Sequence, residues 1–245
     1  MSYFIIVIIS ALALFTSCNN EKALLLESVT YSDGRFEKYE YDNENRVTKT
    51  SHYDKDEGLF YSKTITYSGS DFIKVEMASG VDTDFFATSE YSISGNKIIV
   101  TLKNNGNDNI DTISVDLDNN GFPIKCEAKN DISSSYVLLE IHDGNLMRNS
   151  YKTIHDGVTL EGSSEFKYDD KKSPFYHCTT PKWLWILSDN YISTQNNVIE
   201  MSNSKGLKVE YKYEFNKAGY PIKCTAKGSN TDYVSEFKYK RKATF

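Results

Sequence analysis

Proline and cysteine are scarce in this chain of 245 residues, at four each. No two cysteines are spaced as C-x-x-C, so the sequence offers neither a zinc knuckle nor a thioredoxin-type dithiol. Histidine also numbers four, and His52 and His177 have no companions at metal-ligand spacing. Cations are not clustered: 28 Lys plus Arg face 34 Asp plus Glu, for a formal charge of -6, which excludes nucleic acid as a partner. No apolar run reaches the roughly 20 residues of a membrane-spanning helix. G-x-S-x-G, P-loop and H-E-x-x-H motifs are missing, so the sequence supports no hydrolytic or phosphate chemistry. No metal, cofactor or enzymatic activity is expected.

What is present is strand-forming. Tyr numbers 18 and Phe 13, and 39% of the chain is hydrophobic, enough for a sizeable core. Lys208-Val209-Glu210-Tyr211-Lys212-Tyr213-Glu214-Phe215 alternates charged with apolar side chains, and Tyr233 to Lys240 and Phe36 to Tyr41 do the same. A period of two puts one set on each face of a sheet. Turn signals separate these runs: Asp33-Gly34, Asn120-Gly121, Asp143-Gly144, Asp156-Gly157, Lys205-Gly206 and Ala218-Gly219. Their spacing predicts roughly 14 to 17 short strands joined by tight turns.

Internal repeats refine this. The segment Asp116 to Lys129 recurs as Glu214 to Lys227, and weaker copies start at Tyr41 and at Tyr168. Each copy reads as strand, left-handed turn, strand. The expected fold is all-β: an antiparallel up-and-down meander curled into a half-barrel, a flattened barrel or a two-layer sheet. A round closed barrel of about 15 strands would enclose a channel too wide for a soluble chain of this size to fill. One short helix is expected near residues 180–187, with Thr180 before it and Pro181 in its first turn.

The N-terminus reads as an address. Ile5 to Phe15 is apolar apart from one Ser and has the length of a signal-peptide core. It runs into Phe15-Thr16-Ser17-Cys18, which resembles a bacterial lipobox. The expected organisation is a lipoprotein signal at 1–17, a lipid-anchored linker at 18–24 and a single all-β domain at 25–245. Cys18 is the expected lipidation site, with membrane lipid as the partner of its acyl chains. The chain is expected to be exported and tethered to the cell envelope, at the outer membrane.

Several tempting motifs have plainer readings. Asp116-x-Asp118-x-Asn120-Gly121-x5-Glu127 fits a calcium-loop pattern, yet its flanks are strand-like and Pro123 falls inside it, so a hairpin is expected. His142-Asp143-Gly144 and His155-Asp156-Gly157 imitate a paired site, but consecutive turns of a meander lie at opposite strand ends. Beyond Cys18, the thiols Cys126, Cys178 and Cys224 are read as buried and free, with a Cys126–Cys224 bridge as the alternative. Trp183 and Trp185, the only two tryptophans, are the candidate ligand-binding residues, as a glycan-stacking platform; the competing reading is a helix that plugs an open end of the sheet.

Three features carry a family resemblance: the lipobox-like Cys18, tyrosine-rich copies such as Tyr41-Asp42-Asn43-Glu44-Asn45-Arg46-Val47, and Lys171-Lys172-Ser173-Pro174-Phe175 leading to Trp183-Leu184-Trp185 and Asn196-Asn197-Val198. Together they resemble Bacteroidetes lipoproteins with a domain of unknown function that is porin-like in fold. The resemblance implies a curved antiparallel sheet on the cell envelope and transfers no site residues. The expected function is a non-enzymatic, lipid-anchored binding or scaffold module, whose ligand is a glycan, a lipid or a protein. Alternatives are a carrier of an apolar ligand, an envelope hydrolase, and a membrane-spanning β-barrel, since alternation alone does not separate lipid-facing from core-facing sheets.

Overall fold

The computed structural model describes residues 24–56, 58–80, 86–104, 107–129, 133–188, 195–228 and 231–241. Sixteen strands follow one another in chain order: β1 (Leu24–Tyr31), β2 (Phe36–Tyr41), β3 (Val47–Tyr53), β4 (Leu59–Ser68), β5 (Phe72–Ser79), β6 (Phe86–Ser94), β7 (Lys97–Asn104), β8 (Asn107–Leu117), β9 (Pro123–Lys129), β10 (Ser133–His142), β11 (Asn145–His155), β12 (Val158–Tyr168), β13 (Val198–Asn203), β14 (Lys208–Phe215), β15 (Pro221–Gly228) and β16 (Thr231–Arg241). Each pairs antiparallel with the next, and β16 pairs with β1 from Leu24↔Arg241 to Tyr31↔Ser235. The sheet is therefore a closed barrel. This corrects the expectation of a half-barrel, flattened barrel or two-layer sheet; the all-β meander and its single short helix stand.

The correction has a physical cause. Closure leaves a wide lumen, and the chain fills part of it with an insertion between β12 and β13 that carries helix α1 (Lys182–Ser188). Phe175, Trp183, Leu184 and Trp185 from this insertion pack in one core with wall residues such as Val47, Ile65, Val75, Tyr91, Ile98 and Val115. The wall need not meet itself across the axis, because a plug stands between.

One turn recurs around the rim. Asp42 Oδ1 accepts hydrogen bonds from the N–H groups of Glu44 and Arg46, each at 2.9 Å. Asp118 does the same for Asn120 and Phe122, and Asn216 for Ala218 and Tyr220. The third residue after each cap is left-handed: Asn45 (φ 67), Gly121 (φ 77) and Gly219 (φ 80). This is a type I turn closed by a left-handed residue that bulges the strand, which accounts for the repeated Asx-x-x-Gly/Asn spacing. The copy beginning at Tyr168 uses the same device with a detour. Asp169 Oδ1 accepts from Lys171 N–H and then from Asn197 N–H, 28 positions on instead of four. The plug is a long insertion in an ordinary hairpin turn.

The two faces of the wall differ sharply. Inward positions are mostly apolar or tyrosine, as in Ile73, Val75 and Met77 on β5 and Ile98, Val100 and Leu102 on β7. Outward positions carry ion pairs on strand after strand, Lys74–Glu76, Lys103–Glu90, Lys125–Glu127, Lys167–Glu200, Lys208–Glu210 and Lys223–Glu214, interspersed with exposed apolar side chains such as Phe60, Ile99 and Leu138. Inward tyrosines also stitch neighbours together, Tyr41 and Tyr67 donating to the carbonyls of Leu26 and Val47, both at 2.8 Å.

Candidate functional site: the lumen

The insertion stoppers the end of the barrel where β1 begins and β16 ends. Thr179 N–H donates to the Asn45 carbonyl, and Thr180 Oγ1 accepts the Val47 N–H at 2.8 Å, fastening the plug to the β2–β3 turn. The Thr180 hydroxyl, expected to precede the helix, is thus turned to the wall. On the far side Asn145 and Asn196 exchange hydrogen bonds of 2.9 and 3.1 Å, tying the plug to β11. The β1–β2, β3–β4 and β11–β12 turns form the opposite rim, where a mouth opens.

A cavity of about 580 Å³ lined by Arg35, Glu37, His52, Asp54 and Tyr61 lies at the mouth itself, and two chambers lie behind it. The larger, of about 680 Å³, is walled by residues of β4 through β13 and by Ile186 and Leu187 of the plug. Its lining is mostly apolar (Val75, Val100, Leu102, Val137, Leu139, Phe166), with Asn149, Tyr151 and Ser164 among the polar minority. Among the residues that line it, Lys63 is the single charged one; its side chain is buried, at 6% exposed. A volume between about 300 and 1,000 Å³ suits a small ligand. A smaller chamber of about 210 Å³ lies between the plug and β1, β14, β15 and β16, lined by Tyr211, Tyr213 and Tyr233.

A polar group sits just inside the mouth. Glu37 on β2 accepts from Tyr31 Oη at 2.9 Å and from Tyr39 Oη, and His52 Nδ1 on β3 lies 3.3 Å from its Oε1. The carboxylate fixes His52 as an Nδ1–H donor. His52 stacks on Tyr61 with ring centroids 4.0 Å apart. Burial pushes the Glu37 carboxyl up, but the hydrogen bonds from His52 and Tyr39 outweigh it and bring the group down to about 2. Glu37 is therefore an anion whose charge is taken up by its own wall. Sequence reading missed it, because Glu37, Tyr39, His52 and Tyr61 come from three strands whose register is invisible in one sequence.

Trp183 and Trp185 are 6% and 1% exposed. Trp183 lies against Tyr91 at 5.3 Å between centroids, and Trp185 against Phe175 at 4.6 Å. Their ring surface is spent on packing the plug. Cys18 lies outside the described residues. Cys126, Cys178 and Cys224 are free thiols; Cys126 and Cys224 occupy equivalent places in two repeat copies, but on β9 and β15, far apart around the barrel. Burial pushes the Cys126 and Cys224 thiols up to about 11. The calcium-like segment is a hairpin: Asp118 caps its own turn, and Asp116 faces Lys97 at 3.5 Å. Asp143-Gly144 and Asp156-Gly157 are two-residue turns with both residues left-handed, at opposite ends of β11.

No family model and no curated protein matches the chain. Among solved structures, a porin-like protein from Bacteroides uniformis superimposes with a TM-score of 0.52 over 88% of this chain and 98% of its own, at 10% identity. At that identity the likeness carries architecture alone: the chain has a porin-like barrel fold.

Proposed function

We propose that this protein is a non-catalytic, lipid-anchored barrel of the cell envelope that holds an apolar or amphipathic molecule in its lumen. One observation carries the reading. The wall is mostly apolar inside, and it encloses a chamber of about 680 Å³ that the plug leaves unfilled. An apolar cavity of that size favours an apolar occupant, since each buried methylene contributes about 0.8 kcal/mol. A porin-like barrel fits an envelope location, and the lipobox-like Cys18 together with the Bacteroidetes lipoprotein resemblance supports a lipid tether there.

The outer wall argues against immersion of the barrel itself in lipid. A spanning barrel presents an apolar band about 25 Å tall, and a Lys or Arg at the bilayer midplane costs about 2 to 4 kcal/mol. Here Lys74, Glu90, Lys103, Lys167, Glu200 and Lys208 stand on the outward face among exposed Phe60, Ile99 and Leu138, so the apolar side chains are broken up by charge.

The test is uptake of N-phenyl-1-naphthylamine by the purified protein. Saturable fluorescence enhancement at about one dye per chain is expected, and its absence in folded protein would refute the reading. Incorporation of labelled palmitate in cells, abolished by Cys18→Ser, checks the tether.

A further inference from the structure

The larger chamber has a polar patch built into its apolar wall. Asn149 and Tyr151 stand two positions apart on β11, and register sets them opposite Ser164 and Gly162 on β12. These four positions make two adjoining same-face rungs, so the three polar side chains start within about 8 Å of one another. Around them the lining is Val137, Leu139, Leu146, Phe166 and Met201. Two local details aim the patch. Asn149 Oδ1 accepts the Ser164 N–H at 3.1 Å. A backbone N–H only donates, so the amide oxygen is held at the wall and the Nδ2 donors are left for the lumen. Gly162 makes room for the Tyr151 ring, since a Cβ there would fall 2.7 Å from Tyr151 Oη. The phenol therefore lies across β12 with its hydroxyl above Gly162, one same-face step from Ser164. Among the described residues, Asn149 Nδ2, Tyr151 Oη and Ser164 Oγ have no hydrogen-bond partner, and all three atoms are reachable from the chamber. Lys63, seven strands away around the wall, makes its contacts within the protein and is no part of the patch.

We propose that this patch is the polar half of the lumen site, and that its ligand is an uncharged, largely apolar molecule bearing a carbonyl, as in a ketone or an ester. The proposal rests on the lumen-binding reading and specifies its ligand. Asn149 Nδ2 and the Tyr151 hydroxyl donate to the carbonyl oxygen, whose two lone pairs receive them, and the Ser164 hydroxyl serves the second oxygen of an ester. A carbonyl loses its water on entering the lumen, and donors already in place offset that loss. The patch carries no formal charge, so it does not offset the much larger desolvation of an ionised head.

The experiment is displacement of N-phenyl-1-naphthylamine by 2-octanone and by 2-methyl-1-octene, which differ only in a carbonyl oxygen against a methylene. Water holds the ketone better, so a lumen without donors would bind the alkene more than about tenfold tighter. In the wild type the ketone is expected to bind within about tenfold of the alkene, or better. Tyr151→Phe removes one hydroxyl; Asn149→Asp keeps an oxygen on the Ser164 N–H but takes away the amide donors. Each variant is expected to weaken the ketone about fivefold while the alkene and the dye bind as before. A wider gap in the wild type, or variants that change both ligands equally or neither, overturns the proposal and leaves the lumen reading intact. Failure of the wild type to take up any dye overturns both. The wild-type comparison alone decides the matter should the variants fail to fold.

Discussion

Replacing Glu37 by Gln tests whether the mouth cluster is an electrostatic fixture of the folded barrel. In the native wall this carboxyl lies at about 2, against an ordinary value of 4.5, because hydrogen bonds from His52 and Tyr39 outweigh the cost of burial. A folded-state value below the unfolded one means that ionised Glu37 stabilises the barrel above the unfolded value. That contribution is lost as pH falls through the folded value. A difference of two to three units corresponds to about 3 kcal/mol at pH 7, and the window of loss runs from about pH 5 down to about pH 2. Glu37→Gln keeps one acceptor oxygen but brings an amide N–H₂ against donors. Urea unfolding at pH 7 should show the variant less stable by about 2 to 3 kcal/mol. Below pH 5 the two stability curves should converge, because protonated Glu37 and the amide that replaces it are both neutral. Other carboxylates, Asp42 among them, also lie low in the fold, and the difference between the curves cancels them. Parallel curves from pH 7 to pH 2.5 would refute the reasoning.

Two further outcomes are expected. Joining Asp169 to Asn197 through a short turn patterned on Asn216-Lys217-Ala218-Gly219-Tyr220 removes the plug; the strand signal in far-ultraviolet circular dichroism should survive while stability drops by several kcal/mol, from the lost burial of Phe175, Leu184 and Trp185. Collapse of the strand signal would show that the plug is needed for closure. Cys224, buried and with its thiol pushed up to about 11, should react with an aromatic disulfide reagent at pH 8 only after denaturant is added; prompt reaction of Cys224 in the folded state would contradict its burial.

Strand number and antiparallel order were legible in the sequence, because alternation in segments such as Lys208 to Phe215 and the turn signals between them are local. Closure was not. It depends on β1 meeting β16, a pairing more than 200 positions apart along the chain, and on a plug whose destination is set by Asp169 and Asn197 completing a turn across 28 positions. The segment around Trp183 was recognisable as a short helix, but whether its tryptophans face a ligand or the core is decided by neighbours such as Tyr91 and Phe175. The Glu37–His52 pair and the buried Lys63 stayed hidden for the same reason. A charged residue at an inward strand position reads as an interruption of the pattern until its cross-strand partners are known.

The starting point of β1 has a geometrical consequence. Leu24 lies at the stoppered end, and an acylated Cys18 would sit only six residues before it, a leash of about 20 Å when taut. A ten-residue strand tilted as barrel strands are climbs roughly 25 Å. Tethered this way, the molecule stands on its base like a cup on a table, with its opening turned toward the aqueous compartment. In that orientation, a molecule held in the lumen as proposed would be gained and surrendered through water or a soluble donor rather than from the leaflet beneath.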